Sequence, residues 1–467
     1  MLLSFVSGIL LALTFPKFNL FWLAWFALVP FFLVLLRSKD MRSALLCGFC
    51  FGITFFAIDF LWIFSLFRFA GWWTLLGWVS AVIFQTIFIV LFAFLFRLLR
   101  TANVLWVAIL WVAVEWLRGW GPLGVPLGVL GYSQADFLPV IQIASFSSVY
   151  GVSFLIVLIN SAIANWINNR SKYNQITLAG VIILVCGVVV WGALQPSPAS
   201  HKHSPLSHWE RGNMLKVNGV RVAIIQPNID QMDKMDPAKV DEIFAIHEKM
   251  SRQAQKDKPD IIIWPETSIF SFVLHNTPLA QRLVNLAKKG NCWMVVGIPD
   301  FDHTGAYNGV VSISPSGEVV SRYYKEKLVP FGEYLPFRAL LFPLLKKVGY
   351  YDDEFCAGPS NPVPLIAGKA RMAAVICSES AFPDLVRKRI DPATNLILCI
   401  TNDGWFGNSS LPYFHLNAGI LRAVENRRYF IQAGNTGISA LIDPYGKVIK
   451  RSQLNDQTIL TFEISLP

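Results

Sequence analysis

The stretch Ile261-Ile262-Ile263-Trp264-Pro265-Glu266-Thr267 decides how the second half of this chain folds. Four consecutive apolar residues, three of them β-branched, read as a short strand buried on both faces. Proline then closes the strand and a carboxylate stands at its tip. The pattern recurs at Ala373-Ala374-Val375-Ile376-Cys377-Ser378-Glu379, where a thiol takes the tip position. Outward from these runs, further strands are predicted at 221–226, 293–297, 309–314, 319–324, 396–401, 429–433, 439–442 and 458–464, and helical patterns fill 237–256, 277–289 and 412–428. Strands alternating with helices predict an α/β domain with a buried sheet over 219–467.

The front of the chain has a different composition. Residues 1–194 hold only 10 of the 40 Lys/Arg and 4 of the 30 Asp/Glu, but 12 of the 16 Trp. That is the composition of a membrane bundle, and the pattern predicts about seven spans, near 2–15, 19–36, 44–66, 71–96, 103–117, 146–167 and 176–194. The first stretch has neither a basic leader nor a small-residue cleavage site, so it is read as an anchor. Residues 195–218, rich in Pro and Ser, read as a linker. Basic residues crowd the loops after spans 2, 4 and 6 (Arg37, Lys39, Arg42, Arg97, Arg100, Arg170, Lys172) and are fewer after spans 1, 3 and 5 (Lys17, Arg68, Arg118). The positive-inside rule then puts the N-terminus in the cytoplasm and everything after 194 outside, which in a Gram-negative cell is the periplasm.

Several function classes are excluded on these grounds. The net charge of +10 is spread over short membrane loops and a mixed-charge back half, with no basic face for nucleic acid. Seven irregularly spaced cysteines do not make a disulfide framework, and Cys47 and Cys50 lie in an apolar run as small membrane residues. His201, His203 and His208 sit in the linker with no carboxylate or thiol partner, so no metal site and no cofactor is predicted. Within the membrane half, Asp59 has no evident partner. Glu115 and Arg118, three residues apart, are expected to form an ion pair near the outer interface. The segment 119–149, rich in Gly, Pro and aromatics, is expected to be an irregular outer-face connection.

The polar residues at strand ends carry the chemistry. Glu266 follows one strand, Lys325 another, Cys377 a third, and such positions are where α/β folds place reactive groups. A thiol needs a base to become a nucleophile, a partly desolvated carboxylate is a base of suitable strength, and an ammonium stabilises an oxyanion, helped by the backbone N–H after the nucleophile. The three together are what acyl transfer requires. No histidine takes the base role convincingly, and no G-x-S-x-G, H-E-x-x-H or phosphate-binding loop is present.

These residues carry a resemblance. Trp264-Pro265-Glu266, the run Tyr323 to Glu333 around Lys325, and Ile376-Cys377-Ser378-Glu379 resemble the Glu–Lys–Cys signatures of the nitrilase, or carbon–nitrogen hydrolase, superfamily. Asn402-Asp403-Gly404-Trp405-Phe406-Gly407 and Asn435-Thr436-Gly437 extend the match. With Glu115-Trp116-Leu117-Arg118-Gly119-Trp120 and Gly131-Tyr132-Ser133-Gln134 in the front half, nearly the whole chain resembles the bacterial apolipoprotein N-acyltransferases. The resemblance implies an α-β-β-α sandwich carried on the membrane bundle of a bacterial inner membrane. It implies Glu266 as general base, Lys325 as oxyanion support, Cys377 as nucleophile, and Glu333, Ser378 and Glu379 as supporting residues. It also implies a phospholipid acyl donor, a cysteine thioester, and the N-terminal amine of a diacylglyceryl lipoprotein as acceptor.

The chain departs from the family pattern at Ser378, where Tyr is usual, and at Met235, where Trp is usual. It also ends in a strand-like tail over 458–467 where a further membrane helix is usual. Two other readings compete: a membrane-tethered amidase or hydrolase of the same superfamily, and a non-enzymatic lipid-binding protein. Two apolar stretches that follow active-site residues, with Phe270 and Phe272 in one and Leu340, Leu341 and Phe342 in the other, are expected to be arms that dip into lipid and guide an acyl chain. The topology reading makes a direct prediction. A reporter active only outside the cytoplasm should be on when fused after residue 213 and off when fused near Lys39 or Arg170. The reverse pattern would overturn the N-inside orientation.

Overall fold

The computed structural model describes residues 1–100, 102–195, 219–346, 354–360 and 363–466. Most of the predicted linker, with His201, His203 and His208, lies outside the described residues. The chain divides into two compact units, Met1–Gln195 with Asn408–Glu425, and Pro196–Gly407 with Asn426–Pro467.

In the first unit every predicted apolar stretch holds helix. Among the described residues, four helices are long and apolar enough to cross a membrane: Met41–Ala70, Trp73–Leu98, Ala144–Asn168 and Lys172–Ala193. Leu2–Ala12 and Phe21–Arg37 are shorter. The second is broken near its start, where a 3-10 turn at Phe21–Leu23 precedes the helical residues. Val104–Arg118 begins at Asn103, whose side chain accepts from the Leu105 and Trp106 N–H groups. Gly48 and Gly52 let Met41–Asp59 approach Trp73–Leu98 closely. A Cβ at Gly48 would lie 2.8 Å from the Ala93 Cβ, and one at Gly52 2.9 Å from Thr86 Cγ2. Where lipid offers no hydrophobic gain on helix association, this close packing of small residues supplies the attraction.

One expectation for this half needs correction. Glu115 and Arg118 are both buried and attract each other electrostatically, but among the described residues they form no ion pair. Glu115 Oε1 accepts from the Leu130 N–H at 2.9 Å, and Arg118 donates to the Leu127 carbonyl at 2.8 Å. Both charges therefore satisfy backbone groups of one buried segment, and Arg118 acts electrostatically on Asp59 as well. The segment 119–149 is largely irregular, as expected, and its middle is buried: Leu130–Gln134 is a buried 3-10 turn and Leu138–Ile141 a short helix. Irregular backbone at this depth is tolerated because side chains such as Glu115 replace the missing backbone partners.

The helix Leu411–Asn426, predicted from the back half, packs in this first unit. Arg422 donates to Glu425 at 2.6 Å. The same carboxylate oxygen accepts from Ser148 Oγ at 2.8 Å and the Val149 N–H at 2.7 Å. Ser148 has φ 58°, a left-handed residue that breaks Ala144–Asn168. Glu425 thus caps the helix where it restarts, an anion at a helix N-terminus.

The second unit contains two six-stranded sheets. The first is ordered β12-β1-β2-β3-β4-β5 and the second β11-β10-β9-β8-β7-β6. The first combines β1 (Gly219–Gln226), β2 (Ile261–Trp264), β3 (Trp293–Asp302), β4 (Gly305–Ile313), β5 (Val319–Tyr324) and β12 (Thr458–Ser465). The second combines β6 (Leu365–Ala367), β7 (Ala370–Ile376), β8 (Leu396–Thr401), β9 (Tyr429–Gly434), β10 (Ala440–Ile442) and β11 (Val448–Arg451). In each, three neighbouring strands are parallel, β1-β2-β3 and β7-β8-β9.

The run that opened the sequence reading shows why the layers form. Ile261 and Ile263 point into a core shared with Ile376, Leu398 and Ile431 of the other sheet. Ile262 and Trp264 point the other way, onto Phe244 of the helix Val240–Ala254 and Leu283 and Leu286 of Thr277–Gly290. A period of two thus feeds two cores at once, and each fully buried aliphatic side chain contributes about 1.5–3 kcal/mol. The tail over Thr458–Ser465 is an edge strand, paired antiparallel to β1 with Glu463 opposite Arg221.

Candidate active site

Glu266 leaves the end of β2 on a tight turn. Ser268 N–H donates to the Gly297 carbonyl at 2.7 Å, and a Cβ at Gly297 would lie 2.2 Å from the Pro265 carbonyl oxygen. Only glycine on β3 permits that approach. Thr267 is held at φ 42°, a strained value for a β-branched residue. The turn aims the Glu266 side chain into the interior, where Oε1 accepts from Asn308 Nδ2 at 2.7 Å and Oε2 from the Asn402 N–H at 2.8 Å. Lys325 Nζ lies 3.7 Å from Oε1.

Lys325 follows β5 and is almost wholly buried. Its ammonium is 2.9 Å and 2.8 Å from the two oxygens of Glu333, and Asn308 Nδ2 also donates to Glu333 Oε1 at 2.8 Å. Burial works against the lysine's charge, but Glu333, Glu266 and Cys377 outweigh it and hold its pKa well above the ordinary range. Lys325 is a fixed cation. Glu266 is shifted upward as well, but here burial itself is the largest cause. Burial raises its pKa and Glu333 adds to the rise, while Lys325, Asn308 and Lys234 oppose it. A carboxylate with a raised pKa is a stronger base than one in water.

Cys377 stands at the end of β7 with φ 54°, a left-handed elbow that costs about 1–3 kcal/mol for a residue with a Cβ. Burial pushes its thiol well above the usual range, Glu266 adds to this, and Lys325 and a hydrogen bond with Thr401 oppose it. Burial thus favours the neutral thiol over the thiolate at Cys377. Glu379, two residues on, is closed off from this chemistry. Its oxygens accept from the Tyr323 hydroxyl at 2.8 and 2.7 Å and from the N–H groups of Glu326, Lys327 and Ile376. It ties the Lys325 loop to the Cys377 elbow. Ser378 is half-buried.

The apolar stretches divide. Ile269 and Val273 are buried with the helix-side core. Phe270 is 51 % exposed and Phe272 lies edge-on against Phe301 at 4.8 Å. In the helix Arg338–Leu345, Leu340 is 71 % exposed while Leu341 and Phe342 are half-buried, and Arg338 sits 4.2 Å over the Phe342 ring.

Sequence reasoning missed Asn308, which bridges Glu266 and Glu333 from the middle of β4, because an Asn inside a strand carries no local signal. It missed the role of the Asn402 N–H, although Asn402 lay inside a recognised motif, because backbone donors are invisible in side-chain patterns.

This geometry is that of a carbon–nitrogen hydrolase, and the comparisons agree. Residues 221–467 match the family described as Carbon-nitrogen hydrolase, and residues 7–162 match the Apolipoprotein N-acyltransferase N-terminal domain. The chain belongs to the apolipoprotein N-acyltransferase family. It is 34% identical to the apolipoprotein N-acyltransferase of Geobacter metallireducens, over 100% of this chain and 89% of that one. It is 30% identical to that of Pseudomonas syringae pv. tomato, over 99% and 90%. Among solved structures it is similar to a carbon-nitrogen hydrolase from Helicobacter pylori G27, with 12% identity, 53% of this chain and 90% of that chain covered, and a TM-score of 0.43.

The tether makes a stability prediction. Tyr323→Phe removes one donor from the buried Glu379 carboxylate and should destabilise the second unit by about 1–3 kcal/mol. The measurement is thermal unfolding of the detergent-purified protein. An unchanged midpoint would show that the Tyr323–Glu379 bond carries no stability.

Proposed function

We propose that this chain moves an acyl chain from a membrane phospholipid to the N-terminal amine of the diacylglyceryl-cysteine of lipoproteins, through a thioester on Cys377. The observation that carries the reading is the placement of one buried carboxylate, Glu266, in electrostatic reach of both a fixed ammonium, Lys325, and an elbow thiol, Cys377. Glu266 takes the thiol proton as sulfur attacks the ester carbonyl. The ammonium of Lys325 and the Ser378 N–H stabilise the oxyanion. The intermediate collapses, Glu266 returns the proton to the departing lysophospholipid oxygen, and the acyl group remains on sulfur. The acceptor amine then attacks the thioester, and Glu266 takes its proton and passes it to the departing sulfur, which restores the Cys377 thiol and the Glu266 carboxylate. Glu333 holds Lys325 in place and Glu379 holds the elbow.

A membrane-tethered amidase would use the same thioester. The match of the front half to an N-acyltransferase domain favours the transferase, since a soluble amide needs no membrane platform. The domain reading follows: residues 1–194 as membrane bundle, 195–218 as linker, 219–467 as catalytic segment. Seven crossings with an inside N-terminus would set that segment in the periplasm of an inner membrane. Four helices of spanning length among the described residues support a multi-pass bundle.

Two experiments follow from this. Intact-mass spectrometry of protein purified from membranes should find an acyl adduct in wild type and none in Cys377→Ala, with Cys292→Ala, Cys356→Ala and Cys399→Ala all retaining it. An adduct that survives Cys377→Ala would displace the nucleophile. For the arms, replacing Leu340, Leu341 and Phe342 with Ser should impair acylation by membrane phospholipid more than by a short-chain soluble ester. Burying two such side chains in lipid contributes about 3–6 kcal/mol, enough to hold an arm at the interface. Equal loss with both donors, together with a lower unfolding midpoint, would assign these residues to the core.

A further inference from the structure

The short helix Gln231–Met235 lies between β1 and the helix Val240–Ala254, and the acyl-transfer scheme gives it no part. It is capped by Asp230, whose side chain accepts from the Met232 N–H. Two of its residues, three apart and so on one helical face, are buried polar groups: Gln231 and Lys234. Both end at Glu266. Gln231 Oε1 accepts from Asn402 Nδ2 at 2.8 Å, and the N–H of that same Asn402 is the donor to Glu266 Oε2. Lys234 Nζ donates to the Glu266 carbonyl oxygen at 3.2 Å and to Thr267 Oγ1 at 3.4 Å. Lys234 is 2 % exposed, and among the described residues it forms no ion pair.

We infer that Lys234 is a positioning residue for the acylation step: it holds the strained turn after β2 in the one conformation that aims the Glu266 carboxylate at Lys325 and Cys377. The inference deepens the transferase reading and rests on it.

A lysine buried without a carboxylate partner loses hydration that two neutral acceptors only partly replace. The strain of that arrangement shows in its pKa, which burial pulls down to about 7 against the attraction of Glu266. Such a cost serves nothing in a core that apolar side chains would fill better. Lys234 spends it on two atoms, the carbonyl of the base and the side chain of the residue forced to φ 42°. A β-branched residue relaxes out of the left-handed region when nothing restrains it. Relaxation at Thr267 would rotate the peptide that follows Glu266 and draw its carboxylate away from Asn308 and the Asn402 N–H. Gln231 steadies the carboxylate from the far side, through Asn402. The helix therefore grips the base at both ends, backbone and carboxylate, without touching the reacting atoms.

The test is the rate at which Cys377 acquires its acyl group in full-length protein in phospholipid vesicles, read by intact mass over time at several donor concentrations. Lys234→Met should slow thioester formation at saturating donor by roughly 10–100-fold, the cost of displacing a catalytic group by up to about 1 Å. The donor concentration for half-maximal rate should stay within about twofold, because no substrate contact is removed. Thr267→Gly added to Lys234→Met should recover most of the lost rate, because glycine holds the left-handed turn with no clamp. A merely structural lysine would show no such rescue. Wild-type acylation by Lys234→Met, a change confined to donor affinity, or no recovery in the double variant would each overturn the inference. If Lys234→Met cannot be purified, Lys234→Gln, which keeps a donor without the charge, decides by the same measurements and the same rescue. The two readings fail separately. If wild type acquires no adduct on Cys377, the transferase reading falls, whereas an adduct formed equally fast in wild type and in the Lys234 variants sinks only the clamp.

Discussion

The Glu266 carboxylate is the constraint around which the second unit is organised. It is buried, so each of its oxygens has to be met by a donor the fold supplies. Those donors come from Asn308 on β4, Lys325 after β5 and the Asn402 backbone after β8, and the carboxylate itself comes from β2. Both sheets therefore converge on one side chain. Asn308 and Lys325 are held in turn by Glu333, so the two carboxylates share one cation and one amide. The negative charge in excess keeps Lys325 charged and raises the basicity of Glu266. Base and cation are thus prepared by burial and by one another's charges, before any substrate arrives.

Strain is distributed in the same small region. Thr267 and Cys377, next to or at the reacting groups, both adopt left-handed backbone that their side chains disfavour. At Cys377 the elbow presents sulfur beyond the strand end while the strand stays in its sheet. At Thr267 it lets the chain turn back over β3, with Gly297 making room. The surrounding bonds, Glu379 on the elbow and Ser268 on the Gly297 carbonyl, are what keep such geometry in place.

Much of this was readable in the amino-acid order. Strands that are buried on both faces announce themselves as unbroken apolar runs, and the residue at their tip is exposed to reading by its change of character. Glu266 and Cys377 were picked out that way; Lys325 follows β5, an exposed edge strand with Ser321 and Arg322 inside it, and was picked out by its place at a strand end. The three-residue strand β6 and the four-residue β11 were not predicted; β11, with Lys450 and Arg451 and little burial, lacks the apolar run that marks the equally short β2 and β10. The failure at Glu115 and Arg118 is instructive. Helical spacing predicts that the two can meet, but not that a neighbouring loop offers unpaired backbone groups whose need is greater. Asn308, Gln231 and Lys234 act through partners 25 to 171 positions away in sequence, and such pairings are properties of the fold.

The bond from the Val149 N–H to Glu425 joins residues 276 positions apart. The first unit is therefore not finished when its own apolar helices have been made. Its last element, the helix Leu411–Asn426, emerges from the ribosome only after five strands of the first sheet and three of the second have been synthesised. Closing so long a loop is slow, because its entropy is lost before any contact repays it. Until then the Ser148 kink waits with its helix start uncapped. The order of assembly is consequently inverted with respect to the order of the chain: the membrane-type bundle, begun first, is completed late, and a nascent chain stopped anywhere before residue 425 holds an open bundle whatever the state of its sheets.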